Sequence, residues 1–173
     1  MNDEIRTILE SGLTPDEKLT ALMPAFARAL NCERCVMFLR DPETHRGRAV
    51  HRWAATPAYA LRREDRGWEP MPATILDDDP MYAEAMVNPE ALYIEDIETA
   101  APALLNAAYE REHFGHRALV HAPIWHEGEM YGVLEPSSMV KPRKWNTADR
   151  ALVAAVQERI APVVAAFVKA DAA

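Results

Sequence analysis

Glycine and cysteine are scarce: six glycines and two cysteines in 173 residues. So few glycines supply neither a Gly-rich loop to cradle phosphates nor a Gly-X-Ser-X-Gly elbow to present a nucleophilic serine. Two cysteines alone build no disulfide framework and no four-ligand zinc site. Positive charge is also in deficit. With 19 Lys and Arg against 27 Asp and Glu, the formal charge is -8, and no nucleic-acid partner is expected, because phosphate-backbone affinity needs a basic surface. An unbroken apolar run is missing too. The most apolar segment, 151–168, is interrupted by Gln157, Glu158, Arg159 and Pro162, short of the roughly 18 apolar residues of a membrane span, so no membrane partner is expected. The first residues include Asp3, Glu4 and Arg6 and no apolar leader core, which points to a cytoplasmic setting with free thiols.

What is present suits one ordinary domain covering residues 1–173. Hydrophobic residues make up 49% and charged residues 27%, enough to bury a core and typical of a folded chain. Residues 3–10 read as a short helix. Thr14-Pro15-Asp16-Glu17 is a helix start: a cap, a proline suited to the first turn, and a capping-box acid. Leu19, Leu22, Met23, Phe26 and Leu30 follow at helical spacing, with Pro24 bending the pattern. Residues 35–40 read as a buried strand, and 48–54 as its partner across a turn. Residues 59–74 read as loop. A helix is expected from Asp79-Pro80 to Met86, a strand at 92–94 and a helix over 102–112. Two strands then meet at Glu127-Gly128, a two-residue hairpin turn. Counted from that turn, Ile124 falls opposite Tyr131, Ala122 opposite Val133 and Val120 opposite Glu135, with His121 facing Leu134. A last helix begins at Asn146 or Thr147. The pattern is an α+β domain with an antiparallel sheet.

Several residues invite a chemical reading. Cys32-Glu33-Arg34-Cys35 has the redox spacing, but it follows a helix and opens a strand, whereas a reactive thiol wants a helix N-terminus. His113, His116, His121 and His126 lie close in sequence on three different elements, so no metal site is expected. Asp77, Asp78 and Asp79 read as a solvated helix start, lacking the spacing of a calcium loop. Arg46, Arg48, Arg52, Arg62, Arg63 and Arg66 read as a solvated face balanced by Glu64, Asp65 and Glu69. Glu135 stands at the end of an apolar strand and must reach water or be paired, with Arg117 or His116 as candidates.

Over about 13–168 the chain resembles a GAF domain, a small sensory and ligand-binding module. The resemblance rests on the strand near Cys35 after the first long helix, on Tyr93-Ile94-Glu95-Asp96, and on the hairpin 118–134 with Gly132-Val133-Leu134. Arg143-Lys144-Trp145 before the last helix adds to it. It implies a central antiparallel sheet with N- and C-terminal helices on one face and loops or short helices on the other. It further implies a non-catalytic module that binds a small molecule or a partner and dimerises. The cyclic-nucleotide pattern of the family is not found, and no Cys accompanies His113-Phe114-Gly115-His116, so a covalent bilin is not expected and the cofactor is left open. A ligand would lie under residues 59–74 and the helix ending at His113, with Trp53, Trp68, Tyr93 and Phe114 as walls and Asp96, His113 and His116 as polar contacts. A homodimer is expected through the first and last helices, the latter offering Leu152, Val153, Val156, Ile160, Val163, Val164 and Phe167. Two alternatives stay open: a thiol enzyme similar to the GAF-type free methionine sulfoxide reductases, using Cys32 and Cys35, and a pure dimerisation module with a collapsed pocket.

Overall fold

The capping signals form as read in a computed structural model, which describes residues 2–62 and 64–172. Arg63 of the arginine-rich stretch lies outside the described residues. Helix α1 spans Asp3–Glu10 and α2 Pro15–Ala29. At the start of α2 the Thr14 hydroxyl accepts from Glu17 N at 3.3 Å, and the Glu17 carboxylate accepts from Thr14 N at 2.9 Å. The last helix, α6 (Thr147–Asp171), repeats the device with Asn146 and Asp149. Such a box satisfies two backbone donors at once and fixes where each helix begins.

Between these helices in the chain runs a seven-stranded antiparallel sheet in the order β4-β2-β1-β7-β6-β5, with β3 also paired to β1. The strands are β1 (Arg34–Asp41), β2 (Arg46–Arg48), β3 (Arg52–Ala54), β4 (Glu69–Pro70), β5 (Leu92–Ile94), β6 (Ala118–His126) and β7 (Glu129–Ser138). Alternation sorts the two faces. Cys35, Met37, Val120, Ala122, Ile124 and Leu134 point to α2 and α6, where they join Leu22, Phe26, Val156, Ile160 and Val164 in the main core. On the other face lie α3 (Ile75–Asp78), α4 (Pro80–Ala85), α5 (Ala107–His113) and residues 64–72, over a second cluster of Met81, Ile94, Ile97, Leu105 and Leu119.

Four local expectations need correction. The strand expected over 48–54 is two short strands, β2 and β3, paired to opposite ends of β1. The loop read over 59–74 holds a two-residue edge strand, β4, where Pro70 costs no interior ladder bond, and the helical turn α3 follows it. The helix expected over 102–112 starts only at Ala107, because Asn106 accepts from Tyr109 N and caps it there. Among the described residues one helix, α6, is long and apolar enough to cross a membrane, since three polar residues do not outweigh its apolar majority. Its Val153, Val156, Ile160 and Val164 are fully buried in the core of this domain.

The fifth correction carries the most consequence. Glu127 and Gly128 have φ of 52° and 85°, the left-handed pair that a two-residue hairpin turn requires. Trp125 then pairs with Met130, but Ile124 pairs with Gly132, Ala122 with Leu134 and Leu119 with Ser137. Tyr131 is an extra residue, a β-bulge, and it advances the register by one. His121 therefore stands abreast of Glu135, where the uninterrupted ladder would have put Val120.

Candidate functional site

The bulge assembles a polar group on the open face of the central strands. His121 Nδ1 lies 3.3 Å from Glu135 Oε2, and both side chains are 5% exposed. From β1, Arg34 donates through Nη1 to the Phe114 carbonyl at 2.8 Å and through Nη2 to His116 Nδ1 at 3.2 Å. An arginine has no acceptor, so His116 Nδ1 must accept and the ring carries its proton on Nε2. That nitrogen donates to Glu110 Oε2 at 2.7 Å. His116 Nδ1 is also 3.4 Å from the Ser137 hydroxyl and 3.5 Å from Glu135 Oε1. The chain Arg34–His116–Glu110 thus ties β1 to α5, and Glu135 sits beside its middle member.

Burial sets the charge states. It would raise the Glu135 carboxyl, but the hydrogen bond from His121 and the charge of Arg34 outweigh it and hold that carboxyl below its ordinary value. Glu110 ends on the other side: burial prevails over its bond to His116 and its carboxyl is raised. Asp79, which caps α4 by accepting from Tyr82 N at 3.0 Å, is raised by burial as well, against the opposing charge of His121. The expected solvated helix start therefore holds for Asp77 and Asp78, which are exposed, and fails for Asp79, which is 8% exposed.

An acid with a raised folded pKa is stabilising when protonated. Its contribution is complete below the unfolded value and is lost as pH rises through the folded one. Asp79→Asn keeps an acceptor for Tyr82 N and removes that loss. The variant is expected to melt higher than the parent at pH 7 and level with it at pH 3. Melting curves across that range check the sign; a lower Tm for the variant at pH 7 contradicts it.

Above this polar floor lies a cavity of about 360 Å³, within the size range of small-molecule sites. Phe38, Met71, Ile75, Tyr82, Tyr109 and Phe114 give it apolar walls, and Asp79, Glu110, His121 and Glu135 border it from below. Phe114 packs edge-on against Phe38 and Tyr109, at centroid distances of 5.6 and 6.0 Å, and stacks on His116. At the rim, Arg48 is bound by Asp65 and Asp171 and holds the Asp65 carboxyl at about 2.

Of the seven residues put forward from sequence, His113 and Phe114 border this cavity and His116 lies directly beneath it. The other four lie elsewhere. Trp53 packs on the main core from β3, and Trp68 turns to α6, its indole N–H donating to Asp171. Tyr93 lies under the Arg150 guanidinium near Trp145, and Asp96 forms a two-pronged pair with Arg117. That pair also removes Arg117 as a partner for Glu135. Arg34, Asp79, Glu110 and His121 join the site from outside the seven residues put forward; from sequence Asp79 reads as a solvated helix start and His121 as one of four dispersed histidines. A polar side chain in an apolar strand, at Arg34 and His121 as at Glu135, is the signal that points to them. Of the four clustered histidines, His116 and His121 converge, His113 stacks on Tyr109, and His126 stays at the hairpin turn. Among the described residues no group of three His, Cys, Asp or Glu side chains is placed to hold a metal ion.

The two cysteines sit on the opposite side of the sheet. Both are buried in the main core, and burial drives the Cys32 thiol up to about 12 and Cys35 well above its ordinary value. Neither borders the cavity.

No curated protein matches the chain. Solved structures match it closely in fold at low identity. The GAF domain of a phosphoenolpyruvate-protein phosphotransferase from Coxiella burnetii is 14% identical, with a TM-score of 0.70 over 98% of this chain and 95% of that one. Its counterpart from Acinetobacter is also 14% identical, with a TM-score of 0.69 over 95% and 92%. A far-red absorbing dark state with bound biliverdin IXa is 15% identical, with a TM-score of 0.69 over 92% and 94%. The GAF-domain family model matches residues 14–164, and on that match, with the sheet and helices described above, the chain belongs to the GAF domain family.

Proposed function

We propose that this chain is a non-catalytic sensory or regulatory module that binds a small organic molecule on the open face of its sheet. One observation carries the reading: an apolar-walled cavity of about 360 Å³ stands over buried Glu135 and His121, whose Oε1 and Nε2 atoms have no hydrogen-bond partner. Buried polar atoms without partners are expensive and rare in finished cores. A ligand that supplies those partners accounts for their retention. A structure similar in fold holds biliverdin, which supports a ligand-binding role without naming the ligand used here. Attachment is non-covalent, since the two thiols lie across the sheet. The same placement leaves a thiol enzyme without a nucleophile at the cavity, and the open cavity disfavours a module with none.

We propose a homodimer as the signalling form. Most of the stripe read from α6 is spent inside one protomer, where Val153, Val156, Ile160, Val164 and Phe167 are buried. The surface left for association is Leu152 and Val163 on α6 with Ile8 on α1, all half-buried. Native mass spectrometry of protein purified from its own host tests both parts. The expected result is twice the 19.4 kDa chain mass with a small-molecule increment lost on gentle activation. A chain mass without increment after incubation with host metabolites overturns ligand binding, and a monomer at tens of micromolar overturns the dimer.

A further inference from the structure

The cavity is short of positive charge. Three buried carboxylates, Asp79, Glu110 and Glu135, face it, and Arg34 is the guanidinium in contact with their network. His116 adds no charge, because Arg34 makes its Nδ1 an acceptor. At the rim Arg66 lines the cavity together with Glu64 and Glu69, while Arg48 is already engaged by Asp65 and Asp171. Glu135 Oε1 is an acceptor without a hydrogen-bond donor. His121 pairs with the other oxygen, Oε2, through Nδ1. The walls agree with this, since Phe38, Tyr82, Tyr109 and Phe114 line the same cavity as the acids, and aromatic rings attract cations over their faces.

Resting on the small-molecule reading above, we propose that the occupant is an organic cation. It is an amidine, guanidine or protonated amine on an apolar body, with an N–H group that donates to Glu135. An anionic metabolite would add to three buried carboxylates, and a neutral acceptor would leave Glu135 Oε1 unmet.

Calorimetric titration with benzamidine, benzamide and benzoate separates the cases, because the three share one ring and differ in charge. Benzamidine is expected to bind at least about tenfold more tightly than either of the others, the equivalent of one charge-assisted hydrogen bond. Glu135→Gln is expected to remove that preference. Asp79→Asn, which preserves the helix cap, is expected to reduce it several-fold and decides the matter should Glu135→Gln not fold. Benzamide or benzoate binding as tightly as benzamidine overturns the cation while leaving the cavity reading intact. Benzamidine binding that neither variant alters places the cation elsewhere and overturns the proposal. No heat with any of the three, in protein whose Met71 and Met81 methyl resonances also stay unmoved, removes the cavity reading itself and this proposal with it.

Discussion

Gly132→Ala is expected to lower stability by at least about 3 kcal/mol, combining backbone strain with overpacking, and to drop Tm by on the order of 10 °C. Gly132 follows the bulge at φ 152°, and a Cβ there would lie 2.4 Å from the Phe38 carbonyl oxygen and 3.1 Å from Leu39 Cα. Those are backbone atoms of the neighbouring strand, so no side-chain rotation relieves the clash. β7 would have to move away from β1, with which it pairs from Arg34–Ser137 to Leu39–Gly132. Gly12→Ala is the control: its Cβ meets nothing within 4 Å, and its effect should stay within about 0.5 kcal/mol. Urea denaturation of the two variants reads the contrast directly. Equal, small losses would mean that the strands do not approach as described.

Arg34→Met is expected to cost about 3–5 kcal/mol, the usual price of stranding buried charge. The substitution strips a donor from the Phe114 carbonyl and from His116 Nδ1, and it leaves Glu135 and Glu110 without their nearby guanidinium. Much of this loss depends on Glu135 being ionised, so the two residues should couple. Glu135→Gln introduced into the Arg34→Met background is expected to cost at least about 1 kcal/mol less than in the parent. A four-member denaturation cycle measures this. Strict additivity would show that Arg34 and Glu135 act independently and that the polar floor is not one network.

Much of the fold could be read from residues alone because its signals are local. Thr14 with Glu17 and Asn146 with Asp149 place two helix starts through contacts three residues apart, and Glu127-Gly128 places the hairpin turn through backbone conformation. The site resisted for the opposite reason. One bulged residue, Tyr131, decides whether Val120 or His121 meets Glu135, and a bulge leaves little trace in a hydrophobic pattern. Arg34, Glu110 and Asp79 come from three distant elements, each unremarkable in its own neighbourhood. Aromatic residues were equally ambiguous. Trp53, Trp68 and Phe114 look alike in sequence, yet only Phe114 has its ring at the cavity, because a tryptophan closes the seam to α6 as readily as it walls a pocket.

The methionines offer the most direct test of a ligand cavity on the open face of the sheet. Met71 and Met81 border the cavity, whereas Met23 and Met37 are buried on the helix side. Methyl spectra of methionine-labelled protein, recorded before and after addition of a small-molecule extract of the host, report both faces at once. Shifts at Met71 and Met81 with Met23 and Met37 unmoved are the predicted result. Unmoved resonances throughout, or shifts confined to Met23 and Met37, would contradict a binding site on the open face.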